Sequence, residues 1–247
     1  MDIDITFDFT TDSPGYWDGF WNRNNGLGAG GSDPDTSSPT LRNYHKQLWS
    51  KPLPNGQFFE LSEGSGYNYL YWNGFRFGSD SIIVSLRYKR NQNIINELKN
   101  NLPDYRAYYE DYIRKTYRIG GAIIFPKHQN SINQRRGTSL QIADRWDLTM
   151  ECIRRYYNGE NSPLYEYLEK DRAFFDLFVD FKGYVEFFLL QDCVSDDFGT
   201  VYFWEGNGEL TECGLPKNYR DYMVIIEKEM EFLNKRNQRI LDYCKKH

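Results

Sequence analysis

The sequence predicts an α+β fold: a small antiparallel sheet from the N-terminal half, packed with a mainly helical C-terminal half that ends in a long amphipathic helix. Three observations carry that reading. Residues 67–78, YNYLYWNGFRFG, set two aromatic runs around Asn73-Gly74, the dipeptide that best supports a tight hairpin. Residues 120–127, GGAIIFPK, are a short apolar run bounded by Gly and Pro, as a buried strand is. From 218 to 243, Tyr219, Tyr222, Met223, Ile226, Met230, Leu233, Ile240 and Leu241 recur at helical spacing and form one stripe.

The remaining elements follow in chain order. Residues 2–10, DIDITFDFT, alternate apolar and polar side chains, which predicts a strand. Residues 11–38 are rich in Gly, Asp, Asn and Ser, with Trp17, Phe20 and Trp21 among them, so a long loop held to the body by its aromatic rings is expected. Within it, Gly26 to Gly31 spells GxGxxG. No strand precedes this run and no helix follows it, so it reads as loop and not as a dinucleotide site.

Ser38 is placed to cap a helix with Pro39 in its first turn, and Leu41, Tyr44, Leu48 and Trp49 form the face it buries. Lys51-Pro-Leu-Pro54-Asn-Gly56 then turns the chain into a strand, QFFEL. Arg42, His45 and Lys51 have no part in that architecture. Residues 81–117 read as mostly helical with a break at Asn100 to Pro103. Helices are also expected over 138–157, over 163–180 as one or two pieces, and over 184–194, with a short strand at 201–204. No repeat and no linker divides the chain, so one domain spanning 1–247 is expected, its part from 138 to 247 mainly helical.

Composition narrows the function. The net charge of −5 supplies no excess of Lys and Arg for bulk binding to polyanions. No apolar run approaches the roughly 18 residues of a membrane span, and the acidic N-terminus has no signal pattern. A cytoplasmic protein without a membrane partner is expected. Cys152, Cys193, Cys213 and Cys244 form no CxxC pair, so reduced thiols are expected and structural zinc is not. The sequence has three histidines and lacks GxSxG, HExxH and the P-loop signature.

Four groups of residues carry possible chemistry. Arg135 and Arg136 precede Gly137 and Thr138, where the 138–157 helix should begin. Guanidinium groups beside free backbone N–H groups would hold a phosphate. Asp144, Asp147 and Glu151 fall at i, i+3 and i+7, a spacing that suits Mg²⁺ or a solvated face paired with Arg154 and Arg155. Glu186 sits in the apolar run GYVEFFLLQDCV, where a buried carboxyl either pairs with an arginine or transfers protons. His45, on the capped helix, is the other proton-transfer candidate and equally a structural core histidine.

Three segments, SDPDTSSPTLRNYHKQLWSKPLPNG, NQRRG…IADRWDLTMECIRRYY and FVDFKGYVEFFLLQD, together resemble a bacterial family of uncharacterised proteins, with similarity over most of the chain. The resemblance implies one intact bacterial cytosolic domain and names no activity. The residues themselves support two readings. One is binding or turnover of a phosphate-bearing ligand, a nucleotide or a nucleic-acid end. The other is a non-catalytic module that docks a protein partner through its Tyr and Trp surface, as in stress or phage defence.

Overall fold

The computed structural model describes residues 1–20, 32–64, 69–84, 92–136, 142–206, 210 and 216–247. Small antiparallel sheets and a majority of helix make it an α+β fold. The hairpin expected at Asn73-Gly74 joins β4 (Leu70–Trp72) to β5 (Phe75–Ser81). Both turn residues have positive φ, 45° and 82°, as a two-residue turn matched to strand twist requires. β3 (Ser62–Glu63) adds to β4 on one side, and β6 (Ala122–Pro126) pairs antiparallel with β5 on the other, giving the order β3-β4-β5-β6. All five residues of β6 are buried, as its unbroken apolar run predicts. β1 (Lys51–Pro52) and β2 (Phe58–Phe59) form a separate hairpin after the turn through Gly56.

Helices cover the sheet. α1 (Tyr16–Phe20) and α2 (Pro34–Ser37) lie within the stretch expected to be loop, and α2 packs on β5. The GxGxxG run falls outside the described residues. In α3 (Pro39–Trp49), Ser38 accepts from Leu41 N, the expected cap, and Leu41, Tyr44, Leu48 and Trp49 are buried. α4 (Gln92–Asn101) and α5 (Tyr105–Thr116) flank the expected break. α6 (Ile132–Arg135), α7 (Trp146–Tyr157), α8 (Tyr165–Lys170), α9 (Arg172–Phe175) and α10 (Phe181–Phe187) follow. α11 (Tyr219–Lys246) is the long C-terminal helix, capped by Asn218.

α11 buries more than an apolar stripe. Glu229, Arg236 and Asn237 are buried in it beside Tyr222, Ile226, Leu233 and Ile240. Arg236 donates to three main-chain carbonyls: Gly120 O at 2.8 Å, Ala122 O at 2.9 Å and Phe188 O at 3.1 Å. One guanidinium thus ties α11 to the head of β6 and to the end of α10. Asn237 Oδ1 accepts from Gly120 N at 2.8 Å. A Cβ at Gly120 would stand 2.6 Å from Asn237 Cγ, so that close approach needs glycine.

Four expectations are corrected. Residues 2–10 form turns, not a strand. Asp4 Oδ1 accepts from Thr6 N and Oγ1, and Asp8 Oδ1 from Thr10 N and Oγ1, so local side-chain bonds replace a ladder. The helix expected from 138 begins at Trp146. Ile142 instead bridges to Arg136, and Arg145 is extended at φ −133°, ψ 126°. Residues 184–194 hold only the end of α10 and a 3₁₀ turn at Gln191–Cys193. At 201–204 there is a single bridge, Val194 to Val201, and no strand.

Candidate acid–base site

Beyond Phe77, β5 pairs with β6 on one edge and, among the described residues, with no strand on the other. Three polar residues occupy this end: Ser79, Asp80 and Ser81. Because side chains alternate along a strand, Ser79 and Ser81 share one face and Asp80 takes the other. α2 brings Asp35 to the serine face, where Ser79 Oγ donates to Asp35 Oδ1 at 2.9 Å. On the other face, Asp80 Oδ2 accepts from Arg136 Nη1 at 2.8 Å.

Arg136 is the hinge of the cluster and is 3% exposed. Its Nε reaches Thr149 Oγ1 at 3.2 Å, Nη1 also reaches Ser81 O at 3.3 Å, and Nη2 stands 3.3 Å from Asp144 Oδ1. Asp33 caps α2 by accepting from Asp35 N at 3.1 Å, and it also accepts from Tyr117 OH at 3.3 Å. Three aspartates, Asp35, Asp80 and Asp144, therefore act on one buried guanidinium, with Asp33 next to Asp35. Each of the four is partly exposed.

Burial, then the charges of Asp33 and Asp80, hold the Asp35 carboxyl well above the usual carboxylate range. Burial also raises Asp80, but the charge and hydrogen bond of Arg136 oppose it. Asp80 therefore ionises before Asp35. Both carboxyls are held above the usual range, Asp35 the further of the two, and such a separation is what general acid–base chemistry uses.

His45 lies behind the cluster, 1% exposed, with both ring nitrogens engaged. Trp49 Nε1 donates to its Nδ1 at 2.9 Å, and Nε2 is 3.0 Å from Ser79 Oγ. Burial and the Arg236 charge push it down to about 3, so it is neutral at ordinary pH. It reaches Asp35 only through Ser79.

The other expected residues are dispersed. Arg135 ends α6, with its guanidinium bonded to Asn130 and 5.1 Å from the ring centre of Tyr167 in the first turn of α8. Thr138 lies outside the described residues. The helix expected to present its N-terminus beside Arg135 and Arg136 begins at Trp146, and residues 137–141 between them lie outside the described residues. Asp147 is fully buried with Arg145, and it accepts from Trp204 N at 2.8 Å. Glu151 accepts from Arg154 Nε at 2.8 Å and Arg155 Nε at 2.7 Å; these bonds outweigh its burial and pull it below the usual range. Asp144, Asp147 and Glu151 thus serve three different arginine partnerships, and among the described residues no group of three His, Cys, Asp or Glu is placed to hold a metal. Glu186 is exposed and stands 3.8 Å from Lys182 on the same helix, because α10 turns its buried face through Tyr184, Val185 and Phe187.

Asp33, Asp35, Ser79 and Asp80 had no part in the expected site. The signal was present in SDPDTSSP and in the Ser79-Asp80-Ser81 end of the second hairpin strand, where an aspartate stands between two serines.

Residues 3–240 match the model of a family described as a family of unknown function (DUF6994). The chain belongs to that family. The match contains every member of the cluster, from Asp33 to Thr149, so the site lies within the part of the chain that defines the family. Neither the curated proteins nor the solved structures contain a match. Among the described residues, no helix is long and apolar enough to cross a membrane.

Proposed function

We propose that this chain is an enzyme using general acid–base catalysis on a hydroxyl-rich ligand, a sugar or the ribose of a nucleotide. The observation that carries this reading is Asp35, its carboxyl held well above the usual range, near Asp80, which is ion-paired to Arg136, both side chains partly exposed. Asp35 donates a proton to a leaving oxygen or nitrogen, and an ionised neighbour accepts one from water or a hydroxyl. Carboxylates also accept hydrogen bonds from vicinal hydroxyls, which fits a ribose. A nucleotide belongs to this class, and its ribose fits the aspartates better than its phosphate does, because Asp80 and Asp144 already match the Arg136 charge. The setting we infer is the bacterial cytoplasm, supported by free thiols at Cys152, Cys193 and Cys244.

A protein-interaction module is the second reading. It is favoured by Phe58, 54% exposed, and Tyr202, 53% exposed, but single exposed rings are common on any surface.

The test is turnover of a panel of nucleosides, nucleotides and sugar phosphates followed by mass spectrometry. The parent converts a member of the panel, and Asp35→Asn lowers kcat by about a hundredfold or more while staying folded. A panel left intact by the parent, or converted equally by both proteins, overturns the acid–base reading.

A further inference from the structure

Lys51 begins β1 directly after α3 and plays no part in the aspartate cluster. Its Nζ donates to Phe187 O at 2.6 Å. It lies 4.6 Å from the ring centres of Phe187 and Tyr243 and 5.0 Å from that of Trp49. Among the described residues it makes no ion pair within 4.0 Å. The amine borders a concavity of about 680 Å³, whose walls include Phe58, Glu186, Phe187, Tyr243 and His247. Phe58 projects its exposed ring from β2 into that space.

The groups facing Lys51 set its charge. Burial, then the Arg236 charge from α11, push it down to about 7, against Cys244 on the same helix. Tyr243 and His247 line the concavity from the end of α11, and Glu186, paired with Lys182, from α10. The Met1 amine lies at the rim. Ring faces and the Phe187 carbonyl favour the ammonium, so the free amine and the ammonium coexist near neutrality. A lysine with a free-amine population, on the wall of an open and partly apolar concavity, is a nucleophile with a place for its electrophile.

We propose that this concavity binds a small aldehyde or ketone with an apolar body, and that Lys51 captures it as a reversible imine. The Nζ lone pair forms a bond to the carbonyl carbon, and the carbonyl oxygen takes up a proton. The resulting carbinolamine loses that oxygen as water as the nitrogen gives up its protons, leaving C=N. No oxidant or reductant is consumed, and hydrolysis restores the amine. Phe58, Phe187 and Tyr243 supply the apolar walls.

The probe is benzaldehyde at pH 7 with cyanoborohydride, which delivers hydride to the C=N bond and fixes the adduct as a secondary amine. Peptide mass spectrometry then follows each lysine. Lys51 is labelled about tenfold or more faster than the exposed Lys182 and Lys228. Its rate saturates with benzaldehyde concentration and rises with a midpoint near pH 7. Phe58→Ala, on the open wall, weakens the saturation while leaving the melting temperature in place. Lys51→Arg abolishes that adduct and leaves the others. Labelling of Lys51 no faster than Lys182, or a rate that stays linear with benzaldehyde, overturns the proposal, and both readouts come from the parent protein itself.

Discussion

The hydroxyl of Ser79 donates to Asp35 Oδ1 at 2.9 Å, and that bond fixes the tautomer of His45. A serine hydroxyl has one hydrogen, so the Ser79 oxygen must accept from His45 Nε2, 3.0 Å away. His45 Nδ1 in turn accepts from Trp49 Nε1. A directed chain, Trp49 to His45 to Ser79 to Asp35, runs from the core of α3 to the rim of the site. It supplies a neutral, oriented donor to Asp35, a bond that favours the ionised carboxylate and opposes the upward push of burial.

That chain gives a pH dependence. The His45 ring is pushed to about 3 in the folded state against an ordinary value of 6.5, so the unfolded chain binds the extra proton first. Its contribution to stability is present above pH 6.5 and is lost as pH falls from there toward 3. His45→Gln removes this dependence. Urea unfolding at a series of pH values should show the gap between parent and variant closing toward acid pH, with a slope of up to about 1.4 kcal/mol per pH unit. A gap of constant size would place the titration elsewhere.

Arg136 and Asp80 join β5 to the segment preceding α7. Removing the guanidinium leaves Asp80 and Asp144 partly buried without their cation, so Arg136→Met should cost about 3–5 kcal/mol. Removing the charge of Asp80 as well returns part of that loss. Arg136→Met with Asp80→Asn should therefore be less unstable than the sum of the two single variants, by about 1 kcal/mol or more in a double-mutant cycle. Strict additivity in denaturant midpoints would mean that the pair does not interact.

The seating of α11 rests on a polar group at its centre. Arg236→Met keeps the bulk of the side chain but orphans the carbonyls of Gly120, Ala122 and Phe188, for an expected loss of about 3 kcal/mol. Leu233→Asp buries a carboxylate in the same face and should cost as much or more. Thermal unfolding reads both. A variant that melts with the parent would show that α11 is not seated on the body.

How far the sequence foretold this arrangement depended on the range of the interaction. The Asn73-Gly74 hairpin, the Ser38 cap and the stripe of α11 were legible because each follows from neighbours within a few residues. The N-terminal strand misled because alternation of Ile3, Ile5, Phe7 and Phe9 says nothing of Asp4 and Asp8, whose side chains bond their own turn. The aspartate cluster was hidden for the opposite reason. Asp35, Asp80 and Arg136 are far apart in sequence and meet only when α2 and the segment before α7 pack on β5. Glu186 was expected inside because its neighbours are apolar, but a helix that buries Tyr184, Val185 and Phe187 turns the position between them outward. His45 was expected either in the core or in proton transfer, and it is buried with Trp49 and Ser79 on its two ring nitrogens.

The acid–base reading requires Asp35 to keep its proton to a higher pH than Asp80 does. Carboxyl carbon NMR of protein labelled with ¹³C-aspartate, titrated through the acid and neutral range, tests it most directly. One aspartate signal should titrate well above the ordinary carboxylate range and disappear from the spectrum of Asp35→Asn, while the Asp80 signal shifts at lower pH. If every aspartate carboxyl titrates within or below the ordinary range, or if the late signal survives in Asp35→Asn, the acid–base pair described here does not exist.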